Sequence, residues 1–395
     1  MFESICIRDQ ELAGKTGPLD MGFLAETLLF YQKVHVIGHV TVLRQLVPAC
    51  GPDTLIELLQ RGCLKVGYLE QLGAIQTKDF GKSNERHAPI SMTSPVYELE
   101  NAAPEAFKKA TGKSGRGRRL ASRFVSLVER IPAEPNLLDT ARGDFLSEDY
   151  LENSFRELLR VLAPEYTMPP KLIASVAEHS GLFEIKTHID FSAANASYHK
   201  MISPSHSSLT VAYFLNLLQR ARENLHFASR LCAEMATSPT ISPIMSLKVD
   251  SLVKSRQRNQ ERMSCFQDFI LHDCRAIREA VNSGEKTFAD VLKLLDKAEK
   301  FKKWLKDKQP EADLCKEYHH AVTRDTWVDK LPGKTARWSL FTGAGLGIDA
   351  LGAGGFGTAL GVGLGAFDEF ILDRLAKGWK PNQFVEGPLN RFLNK

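Results

Sequence analysis

Between Trp338 and Phe367 the chain carries ten glycines and one charged residue, Asp349, a composition that recurs nowhere else in its 395 residues. Glycine inside a helix costs about 0.5–1 kcal/mol relative to alanine, so a helical reading needs a compensating gain. Register supplies it. Gly343 and Gly347 are four apart, as are Gly357, Gly361 and Gly365. Four-residue spacing aligns them on one helical face and opens a groove in which a second helix approaches closely. Leu351-Gly352-Ala353-Gly354-Gly355 lies between the two series and reads as a turn. The expectation is a glycine-zipper helical hairpin, with arms near 336–350 and 356–376.

Tryptophan and cations bracket this hairpin. Trp338 has Lys334 and Arg337 on one flank, and Trp379 has Lys377 and Lys380 on the other. In a hairpin both groups fall on the same side, as interfacial anchors do. Length argues against a permanent span: each apolar arm is short of the roughly 17–25 residues a crossing helix needs. Asp349, Asp368, Glu369 and Asp373 would be expensive in lipid. Two readings follow: a hairpin buried in a helical bundle, or a sheltered element exposed on a trigger to oligomerise or to associate with a membrane. Gly352, Gly354 and Gly357 fit GxGxxG, but no strand leads into them and no βαβ unit follows, so a dinucleotide site is not expected.

Composition bounds the rest. With 43% hydrophobic and 25% charged residues the chain resembles ordinary globular proteins, and its length suggests two or three domains. A net charge of +4 is too mild to argue by itself for nucleic acid. The seven cysteines include no CxxC pair and are odd in number, so neither a disulfide framework nor a zinc ribbon is expected, and a reducing cytoplasm fits. The first fifteen residues hold early acids and no apolar run, unlike a secretory signal.

The expected fold class is mixed α and β: an α/β unit with a small sheet over 1–200, a helical bundle over 207–330, and the glycine-rich hairpin with a docked tail over 334–395. Val34–His39 is rich in β-branched residues and reads as strand, flanked by helices over Phe23–Tyr31 and Val40–Val47, the second ending near Pro48. Residues 79–96, with Gly81, Pro89 and Pro95, read as loop with one short strand. Arg118–Arg130, Glu148–Leu162 and Pro170–His179 read as helices, the last closed by Gly181. Phe183, Ile185, Thr187, Ile189 and Phe191 alternate with polar residues as a half-buried strand, expected to pair with the amino-terminal strands. Beyond 207 the spacing predicts helices over 209–235, 246–281, 288–305 and 314–323, then an extended tail docked through Phe384, Leu389, Phe392 and Leu393.

Chemistry-bearing residues are sparse. Lys108, Lys109, Lys113, Arg116, Arg118, Arg119 and Arg123 place seven cations in sixteen positions without an acid, around glycines that suggest a mobile loop. Such a segment neutralises phosphates on nucleic acid or anionic lipid, or is a solvated lead into a helix. It is no phosphate-binding loop of the GxxxxGK[ST] type, because Phe107 stands where the first glycine belongs. His35 and His39 share a strand face, with no carboxylate at ligand spacing. His188 and Asp190 share the polar face of their strand, and Asp144, Glu148, Asp149 and Glu152 suit the start of a helix. No metal and no cofactor is expected, and no catalytic residue stands out. The leading expectation is a non-enzymatic cytoplasmic regulatory or effector protein: its amino-terminal half senses a partner, and its hairpin self-associates or meets an anionic membrane. The alternative is a nucleic-acid- or phosphate-binding protein, or an enzyme, that uses residues 108–123.

Overall fold

A computed structural model describes residues 2–8, 19–81, 85–132, 135–202, 207–270, 277–309, 312–323 and 380–393. The expected hairpin, with Gly343, Gly347, Gly357, Gly361, Gly365, Trp338 and Trp379, lies outside the described residues.

The amino-terminal third alternates short apolar strands with helices. Strand β1 (Ser4–Ile7) leads to α1 (Met21–Phe30), β2 (Lys33–Gly38), α2 (Val40–Cys50), α3 (Pro52–Gln60) and β3 (Leu64–Leu69). A β-hairpin follows, β4 (Gln71–Asp79) and β5 (Glu85–Thr93), then α4 (Leu99–Thr111), α5 (Ser114–Leu127) and β6 (Glu129–Ile131). Next come α6 (Pro135–Phe145), α7 (Glu148–Leu162), a second hairpin β7 (Ala174–His179) and β8 (Leu182–Thr187), then α8 (Phe191–Met201), α9 (Val211–Leu231) and β9 (Glu234–Ala236). Helices α10 (Ser242–Ser246), α11 (Asp250–Ile270), α12 (Ile277–Asn282), α13 (Phe288–Lys306) and α14 (Leu314–Thr323) complete the helical half.

Five strands form one parallel sheet in the order β6-β3-β2-β1-β9. Its strands read as continuous apolar runs because both faces are covered. Ile5, Ile7, Val34, Val36, Leu64 and Val66 face one core, with α1 to α5 and α13. Cys6, Ile37 and Ile131 face the other, with α6, α7 and α9. The chain steps from β1 through β2 and β3 to β6 in one direction, then returns across the opposite face to set β9 on the free side of β1. Because crossovers share one hand, reversing direction moves the connecting helices to the other face. The second sheet is antiparallel, β4-β5-β8-β7, and packs within the second core.

The fold class stands as expected, an α/β amino-terminal region and a helical carboxy-terminal half, and several local readings are corrected. Pro170–His179 is not a helix. Residues 174–179 are β7, because Ser180 (φ 50°) and Gly181 (φ 82°) form the two left-handed residues of a tight hairpin turn into β8. Strand β8 ends at Thr187 and pairs with β5 and β7 rather than with β1 to β3. Residues 85–93 make a nine-residue strand. It tolerates Pro89 because β8 pairs with β5 only at Arg86 and His87, leaving the proline opposite Ile75 of β4 alone. Helix α2 runs through Pro48 to Cys50. The helix expected over 118–130 stops at Leu127, and Glu129–Ile131 joins the parallel sheet. Met235, expected inside a helix, lies in β9.

Each core draws on both halves of the chain. Phe266 of α11 and Phe301 of α13 meet Phe30 of α1 edge-on at 6.1 and 6.4 Å. Lys302, also in α13, is buried and donates its Nζ to the Leu28 carbonyl at 2.8 Å, supplying a cation to the last turn of α1, which has none of its own. The carboxy-terminal residues 381–393 are helical rather than extended, but they dock as expected, with Phe384 stacked on Phe301 at 4.9 Å.

Candidate functional site

In an open parallel sheet the ligand crevice lies outside the carboxyl ends of the strands, where the strand order reverses. Here that point is the carboxyl end of β1, which pairs with β2 on one side and with β9 on the other. A cavity of about 280 Å³ opens there. Its floor is built from strand ends: Arg8 after β1, Gly38-His39 after β2, Leu69 of β3 and Ile131-Pro132 of β6. Helix α9 forms one wall with Arg220, Glu223, Asn224 and Phe227, and α6 closes another with Leu137 and Leu138. Gln71, Gly73 and Ser91 of the second sheet complete the mouth.

Arg8 is the central polar group. Its Nη2 donates to Glu223 Oε2 at 2.7 Å and its Nη1 to Asn224 Oδ1 at 3.2 Å. The guanidinium lies 5.1 Å from the Phe227 ring centre, and the Arg8 and Glu223 side chains are only 12% and 11% exposed. Fork geometry, aromatic stacking and desolvation hold the group in one orientation. The Arg8 Nε is buried without a hydrogen-bond partner among the described residues, as is the Gln219 Oε1 one turn before Glu223. Burial pushes the Cys6 thiol up to about 12, with the Arg8 guanidinium pulling the other way, so Cys6 is a neutral apolar residue of the core.

Two glycines make the crevice geometrically possible. A Cβ on Gly73 would sit 2.1 Å from Gln219 Nε2 and 2.4 Å from Glu223 Oε1, so its absence lets β4 run against α9. A Cβ on Gly38 would meet Val42 at 2.4 Å, and its absence allows the tight turn from β2 into α2. His39 caps that helix, its Nδ1 accepting from Thr41 N at 3.3 Å, and so presents an imidazole and a helix start to the same cavity.

The residues singled out from sequence fall elsewhere. Lys108, Lys109, Lys113, Arg116, Arg118, Arg119 and Arg123 are all exposed, and they lie on two helices and the short turn between them rather than in a long loop. Gly112 (φ 65°) ends α4 as its left-handed cap, and Gly117 lies against the Lys108 backbone, where a Cβ would come within 2.8 Å. His35 is shifted below its ordinary value by burial first and then by Lys65, so it is a neutral sheet residue. His188 bonds the Lys171 carbonyl at 2.9 Å, and Asp190 caps α8 through Ala193 N at 3.0 Å. Asp144 is a buried anchor for Arg222 and Lys248, while Glu148 and Glu152 accept from Val176 N and Ala174 N along β7. No cluster of metal-ligating side chains occurs among the described residues.

Sequence inspection passed over Arg8, Glu223, Asn224 and Phe227. The one local signal was a charge set directly at the end of an apolar strand, Ile5-Cys6-Ile7-Arg8. Comparison of the chain with protein-family models, curated proteins and solved structures finds no match in any of the three. The class defined by the fold alone is a doubly wound parallel α/β protein with its cavity at the strand reversal.

Proposed function

We propose that the protein is a ligand-responsive regulatory or effector protein whose crevice at the β1/β9 reversal is the sensing site. The observation that carries this reading is the placement of Arg8. A buried, aromatic-backed guanidinium with one unused donor projects from a strand end into a cavity with apolar walls. Such a site selects a small molecule with an apolar body and one acceptor-rich edge. At about 280 Å³ the cavity suits a small metabolite rather than a dinucleotide. Glu223 and Asn224 orient Arg8, and His39, Gln71 and Ser91 offer further polar contacts at the mouth.

The output element in this proposal is the glycine-zipper stretch, acting by self-association or by conditional contact with an anionic membrane. Its support is the four-residue register of Gly343 with Gly347 and of Gly357, Gly361 and Gly365 between Trp338 and Trp379. The flanks add to it: Tyr318 of α14 and Phe384 after the stretch both pack into the aromatic cluster around Phe301 and Trp304. Among the described residues no helix is long and apolar enough to cross a membrane.

Two measurements test the two parts. Native mass spectrometry and thermal-shift screening with nucleosides, mononucleotides and small carboxylates should find a ligand whose stabilisation disappears in Asn224→Leu. A ligand equally tolerant of Asn224→Leu and of Ser91→Trp at the mouth would remove the crevice from the proposal. Liposome flotation and sedimentation, with and without that ligand, test the output. A monomer that never floats would sink the effector reading.

A further inference from the structure

Helices α4 and α5 display a compact set of cations that the rest of the molecule leaves uncompensated. The two helices pack through Phe107 and Phe124, whose rings meet tilted at 5.3 Å, and the turn between them is Gly112-Lys113. Of the seven cations, Arg116 pairs with Asp53 at 2.6 Å. Lys108, Lys109, Lys113, Arg118, Arg119 and Arg123 make no ion pair among the described residues. Neighbouring acids are engaged with other partners: Glu105 with Arg44, Glu129 with Arg230, and Glu100 with Arg130. The arrangement is unfavourable for the isolated fold. Arg119 and Arg123 are like charges one turn apart, and Arg116 sits in a first turn that carries no acid.

The residues between the cations identify the partner chemistry. Gly112, Ser114, Gly115, Ser122 and Ser126 are exposed and small, so an extended polyanion can approach the helix surface closely. Arg119, Ser122, Arg123 and Ser126 fall on one stripe, with the two arginines about 6 Å apart along the axis. A bilayer surface is disfavoured, because basic membrane-binding helices carry bulky apolar residues to insert. Here the single exposed one in α5, Leu127 at 37%, is the last residue of the helix. Single-stranded nucleic acid is disfavoured as well, since the aromatic residues of the pair, Phe107 and Phe124, are buried and offer no stacking platform.

We propose that the outer face of α4 and α5 binds the phosphate backbone of a nucleic-acid duplex without reading its sequence. Lys108, Lys109, Lys113, Arg118, Arg119 and Arg123 each sit against phosphate, and the small serines between them leave room for the backbone while Ser122 and Ser126 keep their hydroxyls on the Arg118 and Arg123 carbonyls. This binding is independent of the crevice.

The test is fluorescence anisotropy of the full chain with labelled DNA and RNA duplexes of mixed sequence, about 20 base pairs long, between roughly 50 and 200 mM salt. The expected affinity at low salt is micromolar, and the logarithmic salt slope for DNA is near −5 if all six cations engage. Arg118→Gln/Arg119→Gln/Arg123→Gln should weaken binding at least tenfold and reduce the slope by about 3. Its melting temperature should not change, since the three side chains are exposed. A control set, Lys293→Gln/Lys297→Gln/Lys300→Gln, removes exposed lysines from α13, where Asp296 and Glu299 lie among them, and should leave binding intact. Preference between the DNA and RNA arms identifies the duplex. The proposal is overturned by an absence of duplex binding at low salt, by equal binding of the α5 variant, or by an equal loss in the α13 control. Binding to phosphatidylserine vesicles in place of duplexes overturns it too.

Discussion

Two groups of arginines in this chain meet their charge in opposite ways. At the crevice, Arg8 is desolvated and held by Glu223, Asn224 and Phe227, and nearby Arg222 is held by Asp144. On α5, Arg118, Arg119 and Arg123 stand in solvent without a carboxylate partner among the described residues. The first arrangement is specific and structural: the geometry is fixed before any ligand arrives, and removing one partner leaves a buried charge exposed to no compensating field. The second contributes little to folding and is available to an external polyanion. Position in the fold, rather than residue type, separates the two roles.

The comparison breaks first at Glu223. Glu223→Ala should cost about 3–5 kcal/mol, because it strands the Arg8 guanidinium in a buried site. Urea unfolding measures this, and a loss below about 1 kcal/mol would put Arg8 in the same class as the surface arginines. Replacing Arg8 and Glu223 together by apolar residues of similar volume should recover most of the loss. Gly73→Ala comes next, at about 1–3 kcal/mol of overpacking as α9 is pushed from β4. The same variant should impair ligand binding in the crevice, and an unchanged affinity would show that α9 shifts freely there.

A smaller effect is expected from pH. His87 is 1% exposed and lies 3.0 Å from the Thr77 hydroxyl. Burial, partly offset by Glu85, holds its pKa below the ordinary 6.5. The unfolded chain therefore takes up a proton near that pH while the folded chain resists it. Stability is full above about 6.5 and falls as the pH is lowered through the interval down to the depressed folded value. His87→Gln should flatten this acid limb in urea midpoints measured from neutral to mildly acidic pH. His35, lowered in the same direction, leaves a residual slope. The smallest effect belongs to Arg119→Gln, within about 0.5 kcal/mol of wild type. Destabilisation beyond that would mean the α5 arginines support the fold after all.

Legibility from sequence followed how local each feature is. Helix α7 was readable because Leu151, Phe155, Leu158, Leu159 and Leu162 repeat at helical spacing behind Ser147, and all five are buried. Helix α13 was readable for the same reason, with Thr287 and Asp290 closing a capping box. Strand β2 was readable from β-branched density. Strands β6 and β9 were not, because each is three residues long and exists through a parallel partner distant in sequence. Strand β7 was misread because the turn that defines it, Ser180-Gly181, carries a glycine that equally suits the end of a helix.

The chain by itself determined its strongly periodic helices such as α7 and α13, the glycine register near its carboxyl end and the grouping of seven cations over 108–123. These depend on residues within a turn or two of one another, where periodicity and propensity operate. Tertiary structure alone decided the strand order, the covering of both sheet faces and the crevice. Arg8 and Glu223 are separated by 215 positions. They meet only because the return of the chain across the opposite face of the sheet lays α9 beside the end of β1, and no local signal encodes that meeting.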